Sequence, residues 1–192
     1  MKDDDDKNSS TATLTITING ANDAIVAVDD TDSVDEDATI SRTVSDPQEL
    51  DHDDTDVDGD DTSGNFTITG IRTGSKDGTG TTGTVGASLT GEYGTLTVNA
   101  DGSYTYVADQ TKSDEIVTGQ TATDTFTYTV SDGTATSTAN LTFTITGIND
   151  NDPVAVDDTD TVPKGETITR AANTAFALNA DDTDADGETL TI

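Results

Sequence analysis

"DDTDVDGDD", residues 53–61, places six carboxylates in nine residues, and "DDTDADGE" returns at 181–188. Asp54, Asp56 and Asp58 sit at alternate positions, as do Asp182, Asp184 and Asp186, with Gly59 and Gly187 next in line. Carboxylates so spaced on a tight loop offer the hard oxygens that Ca2+ gathers, about six to eight of them at roughly 2.3–2.6 Å. Glycine admits the sharp turn that follows, and Asp60 adds a further oxygen. The spacing is that of an EF-hand loop, but its twelfth position holds Asn65 rather than a bidentate glutamate, and both flanks read as strands. A helix–loop–helix site is therefore rejected. The remaining ligands must come from elsewhere in the fold, with Asp29, Asp30 and Asp32 as candidates. The plain alternative is a solvated loop that keeps the protein soluble. Electrostatics favours the metal. The chain carries 39 acidic against 8 basic side chains, a formal charge of -31. Each bound divalent ion cancels two of those charges, so binding adds folding free energy.

Other chemistry finds less support. The lone histidine, His52, lies in an acidic run that reads as a loop, without the pocket that would support it as a general base. With no cysteine there is neither a thiol nucleophile nor a disulfide. Paired carboxylates are so abundant that no pair is specific. The glycine-rich stretch 74–86 lies between strands and reads as a flexible loop rather than a phosphate cradle. Two Asp-Pro bonds, Asp46-Pro47 and Asp152-Pro153, read as stiffened turns or linkers. These observations argue against an enzyme. The negative field repels nucleic acid and anionic membranes. The longest apolar run, "AIVAV" (24–28), is too short for membrane insertion.

The elements that must position these acids come from a repeat. Residues 10–34 match 137–162, at an offset of 127 that becomes 128 after one inserted residue. So long a period fits one independent domain per unit. Four regions follow: an expression-tag remnant at 1–9, the last strand of a preceding repeat at 10–22, a complete module at 23–149, and the start of the next repeat at 150–192. That last region lacks partner strands and is expected to be less ordered than the whole module.

Within the module, period-two alternation dominates. "TFTYTVS" (125–131) puts Phe126, Tyr128 and Val130 on one face, and "NLTFTIT" (140–146) does the same with Leu141, Phe143 and Ile145. "NFTITG" (65–70), "YGTLTVN" (93–99) and "GSYTYVA" (102–108) follow suit. "NADGS" (99–103) and "SDGTA" (131–135) supply hairpin turns. Segment 110–122 reads as a long connection. Strands with one apolar face each must pack as two sheets, which predicts an all-β, antiparallel β-sandwich of Greek-key type.

"YGTLTVNADGSYTYVAD" and "TDTFTYTVSDGTATSTANLTFTITGIND" resemble the VCBS repeat of large bacterial surface proteins. "VAVDDTDTV" and "LNADDTDADGETLTI" resemble bacterial cadherin-like, Ig-like modules. The resemblance implies tandem sandwiches in long, secreted adhesins of the RTX type at the bacterial cell surface, often calcium-dependent. "GINDNDP" (147–153) is similar to the linker between cadherin domains, which adds Asp150 and Asp152 as metal ligands; "GANDAIV" (20–26) lacks that full form. The expected role is a structural extender, a monomer whose partners are its own neighbouring repeats. A glycan or surface target would be engaged by another part of the adhesin. The alternative, a calcium-dependent glycan- or surface-binding module, needs exposed aromatics, whereas the few present fall at inward positions.

Overall fold

The structure, a computed structural model, describes residues 13–58, 65–169, 180–187 and 189–191. Residues 1–9, expected to be a tag remnant, and Gly59, Asp60 and Arg170 lie outside them. The alternating segments pair into eight strands: β1 (Asp30–Asp35), β2 (Thr39–Arg42), β3 (Thr67–Thr73), β4 (Ser88–Thr90), β5 (Thr95–Val98), β6 (Tyr104–Val107), β7 (Thr121–Ser131) and β8 (Thr136–Thr146). No helix occurs among the described residues. Two four-stranded sheets result, ordered β1-β8-β7-β3 and β2-β6-β5-β4. The chain changes sheet at β1–β2, β2–β3, β3–β4 and β6–β7, so neighbouring segments face each other across the core rather than lying side by side. The expected all-β sandwich is thus formed. Its one parallel pair is β1 with β8; the other pairings are antiparallel.

The core is the inward register of these strands. Leu141, Phe143 and Ile145 of β8 and Phe126, Tyr128 and Val130 of β7 meet Leu96, Val98, Tyr104 and Tyr106 of the other sheet, all buried. The Phe143 ring stacks on Tyr106 with centroids 3.9 Å apart and takes Tyr104 edge-on at 5.8 Å. Threonines occupy the outward positions, where branching at Cβ suits extended backbone without adding charge. The β5–β6 hairpin closes on Gly102 and the β7–β8 hairpin on Gly133, both at positive φ, as their Asp-Gly pairs require.

Several segments differ from expectation. Segments 30–35 and 39–42 are strands, the first although its inward positions include Asp30 and Asp32. Strand β7 starts at Thr121 rather than 125, because Asp124 takes an inward position where an apolar residue would have revealed the period. Its Oδ2 accepts hydrogen bonds from the Tyr106 hydroxyl (3.0 Å) and the Tyr93 N–H (3.1 Å). The segment expected to be a strand at 10–22 is not one over its described residues. Leu14, Ile16 and Ile18 are 83%, 73% and 89% exposed. Their equivalents in the next repeat, Leu141, Phe143 and Ile145, are at most 1% exposed. The alternation is the same. The difference is that β8 has β1 and β7 on either side to take its backbone hydrogen bonds, and residues 13–18 have no flanking strand. Beyond Thr146 the described residues form no strand, only an isolated bridge between Val154 and Thr183.

Phe143 is the central ring of this core. Phe143→Ala is expected to destabilise the sandwich by about 3–5 kcal/mol, from lost burial plus the cavity left behind. Urea unfolding followed by far-UV circular dichroism measures it.

Candidate metal centre

Each acidic loop works first as a clip on the chain that enters its module. In the first, Asp54 Oδ1 accepts the Val28 N–H (2.8 Å) and Asp58 Oδ2 accepts the Asp23 N–H (2.7 Å). Asp56 Oδ1 accepts the Asp58 N–H (2.9 Å) and folds the loop on itself. The second loop repeats this. Asp182 Oδ1 accepts the Val156 N–H (2.8 Å), Asp186 Oδ2 the Asn151 N–H (2.8 Å), and Asp184 Oδ1 the Asp186 N–H (2.9 Å). The bridge Val26–Thr55 recurs as Val154–Thr183. Every partner is displaced by 128 positions. Alternate aspartates therefore recur because each supplies charge-assisted acceptors to a fixed N–H. One oxygen of each is used in this way; Asp186 uses its second oxygen as well, Oδ1 accepting from the Asn151 side-chain amide (2.8 Å).

At the second loop the other side of the junction closes in. The β1–β2 turn carries Glu36, whose N–H continues the β1 ladder to Thr146 C=O (2.9 Å). Its side chain points under the linker, where Oε1 accepts the Ile148 N–H. Glu36 is 1% exposed, and its Oε2 is buried with no hydrogen-bond partner. Carboxylate oxygens of Glu36, Asp150 and Asp186 all lie within 4.8 Å of one another. One comes from the β1–β2 turn, one from the segment that follows β8 and one from the second acidic loop. The loop between β6 and β7 adds a direct contact: the Thr118 N–H donates to Asp186 C=O (3.2 Å), and Val117 lies against Gly187, itself at φ 75°. Gly147 is needed here because a Cβ would meet the Ile116 carbonyl oxygen at 2.3 Å.

The donors are three carboxylates, and a buried carboxylate oxygen without a donor is unfavourable unless a proton or cation meets it. Burial, then the charges of Asp150, Asp186 and Asp114, push the Glu36 carboxyl above its ordinary range. Asp150 is pushed up as well, by burial and then by Asp37 and Asp186. Asp186 is held down by the Asn151 side chain and the backbone N–H groups it accepts. Such a set suits a hard divalent cation.

The expected ligands thus separate. Asp150 and Asp186 converge. Asp182 and Asp184 serve the clip, and Asp152 is exposed outside the group. Glu36 carries no motif signal and was not expected, since it lies 114 residues from Asp150 and 150 from Asp186; the one hint in the chain is an acid inside a turn between two strands. At the first loop Asp54 Oδ2 and Asp56 Oδ2 are buried without hydrogen-bond partners, but Asp54, Asp56 and Asp58 do not form a comparable three-carboxylate group. Of the additional ligands considered, Asp29 is paired with Lys76 (2.7 Å) and Asp32 with Arg42 (2.8 Å), leaving Asp30 beside Asp54.

A two-sheet Ig-like sandwich with a carboxylate-lined junction at one end defines a structural, adhesion-type extracellular module. The bacterial cadherin-like domain matches residues 22–147, and the chain belongs to that family. No curated protein matches the chain. A solved structure, the NMR structure of a protein from Bacteroides thetaiotaomicron, is 11% identical, covering 68% of this chain and 94% of that one with a TM-score of 0.28. Among the described residues no helix is long and apolar enough to cross a membrane.

The entrance loop has its own pH signature. Burial and then neighbouring aspartates raise Asp30 to about 8 and Asp54 to about 7. The Tyr128 hydroxyl oxygen lies 2.8–2.9 Å from Asp30 Oδ2, Val28 C=O and Leu50 C=O. Its one proton serves one of them, and a protonated Asp30 can donate to it in turn. Both folded values lie above the ordinary 3.8, so between about pH 4 and about pH 8 the folded state holds protons that the unfolded chain has released. Stability contributed at low pH is lost as pH rises through that window. In metal-free buffer the melting temperature is expected to fall from about pH 5 to about pH 8. Asp30→Asn is expected to flatten the profile, read by circular dichroism melts.

Proposed function

We propose that this chain is part of a tandem array of extender modules in a secreted bacterial surface adhesin of the VCBS and RTX type, in which Ca2+ at the junctions stiffens the array. The observation that carries the reading is the Glu36–Asp150–Asp186 group, with its buried, unpartnered Glu36 Oε2. Its three members belong to a module, a linker and the next repeat. A cation held there ties together three segments that backbone hydrogen bonds join only in part. When bound, the ion supplies positive charge; the fold supplies the placement. The clip holds Asp186 against the linker, and the β1–β2 turn holds Glu36 beneath it.

The role is mechanical rather than enzymatic. The proposed partners are the neighbouring repeats of the same chain, with the chain itself a monomer. Support for adhesion or biofilm formation follows from holding a binding tip away from the cell. A net charge of -31 suits a surface that avoids nucleic acid and anionic membranes. Extracellular calcium modules bind at about 0.1–1 mM. In a calcium-poor cytosol the junction is loose, and outside the cell it tightens.

Calcium at a tenfold excess over its Kd is expected to stabilise the chain by about 1.4 kcal/mol, raising the melting temperature by a few degrees. Small-angle scattering is expected to report a narrower distribution of dimensions than in chelator. Asp186→Asn and Asp150→Asn are each expected to lower calcium affinity at least about tenfold by calorimetry, the loss of one charged ligand of three. A wild-type chain with no heat of binding and unchanged dimensions would reject the reading.

A further inference from the structure

The turn that places Glu36 is built a second time. In the first copy the Ala38 N–H donates to Asp35 C=O (3.2 Å), with Asp37 at φ 59°. In the second the Glu166 N–H donates to Pro163 C=O (3.0 Å), with Gly165 at φ 88°. The two turns are 128 positions apart, the displacement that also relates the clips and bridges of the two acidic loops. Val34 precedes the first as Val162 precedes the second, and Ile40 follows it as Ile168 does. In this register the residue at the place of Glu36 is Lys164. The charge reverses at the one member of the junction group that the complete module contributes.

We propose that this position selects how a junction is neutralised. A glutamate, as at Glu36, makes the junction depend on a divalent cation. A lysine, as at Lys164, puts an ammonium where the cation would be and makes the junction independent of it. The inference rests on the calcium reading above. Three carboxylates with one divalent cation leave a single net negative charge. Two carboxylates with one ammonium leave the same. Lysine suits the exchange: its ammonium is a compact charge with three donors on a flexible stem, and ionised carboxylates only accept. A carboxylate oxygen with no donor, as at Glu36 Oε2, is then no longer present to require a cation. The exchange also removes the acceptor of the Ile148 N–H, so the lysine form is not expected to reach the full stability of the calcium-bound glutamate form. An array that mixes the two residues would contain joints that respond to calcium and joints that do not.

The test compares the wild-type chain with Glu36→Lys and Glu36→Gln, each in metal-free buffer and with calcium chloride. Calorimetry, thermal melting and small-angle scattering are the readouts. The wild type is expected to bind calcium, melt higher and become more compact. E36K is expected to lose calcium affinity at least tenfold, and to show the same dimensions with and without the ion. In metal-free buffer it should melt above both the wild type and E36Q and match the compactness of the calcium-loaded wild type. E36Q, of equal size and without charge, controls for mere loss of the carboxylate and is expected to stay loose without calcium. If the wild type responds but E36K binds calcium within threefold of it, or is no more compact than E36Q in metal-free buffer, the selector is wrong and the calcium reading stands. An E36K chain that does not fold shows that the place does not accept an ammonium and overturns the selector as well. A wild type indifferent to calcium removes the calcium reading, and the selector with it.

Discussion

A carboxylate taken out of water must meet a donor, a cation or a proton, and in a chain with 39 acids and 8 bases that requirement shapes nearly every element. Three kinds of partner answer it. Backbone N–H groups of the entering chain meet Asp54, Asp58, Asp182 and Asp186. Tyrosine hydroxyls meet Asp30, Asp32 and Asp124. The scarce cations are placed at Asp29 and Asp32, through Lys76 and Arg42. What remains are oxygens such as Glu36 Oε2, which are buried with none of these. The proposed cation sites are this residue of unmet demand, located where a module ends.

The tyrosines connect charge to packing. Tyr104, Tyr106 and Tyr128 fill the core with their rings while their hydroxyls reach inward-facing aspartates at the sheet margins. An aromatic ring with a polar tip can therefore stand opposite an acid in a sandwich whose strands are otherwise threonine and aliphatic. Burial of Asp30 and Asp54 keeps protons on them near neutral pH, so the fold tolerates acids inside only in part as anions. The same demand is met at the module entrance by protons and hydroxyls and at the junction by whatever fills the space among Glu36, Asp150 and Asp186. The two ends thus differ in how their charge is balanced, although their clips are built alike.

Much of this was legible in the chain. Alternation at 125–131 and 140–146 marked the two longest strands because each inward position there is apolar, and the Asp-Gly pairs marked their hairpins. The spacing of Asp182, Asp184 and Asp186 marked a loop with oxygens to offer. Strand β1 carries no alternation signal because Asp30 and Asp32 stand where a hydrophobic residue would have shown the period, and β2 has only 4 residues in which to show one. The exposed alternation at Leu14, Ile16 and Ile18 misled for the converse reason. Period two records a preference for extended backbone, and a strand also needs neighbours to bond with.

By itself the sequence determined the extended segments with an apolar inward face, such as 125–131 and 140–146, and the recurrence of the pattern at an offset of 127 that becomes 128, because those properties depend on residues a few places apart or on direct comparison of the copies. Tertiary structure alone decided which oxygens of each aspartate are consumed by backbone N–H groups and which are left. It also decided that Glu36, more than 100 residues before either of them, joins Asp150 and Asp186. The reason is physical: a charge site is defined by distances of a few ångströms among groups whose separation along the chain is set by the sheet crossovers, and local spacing carries no record of them.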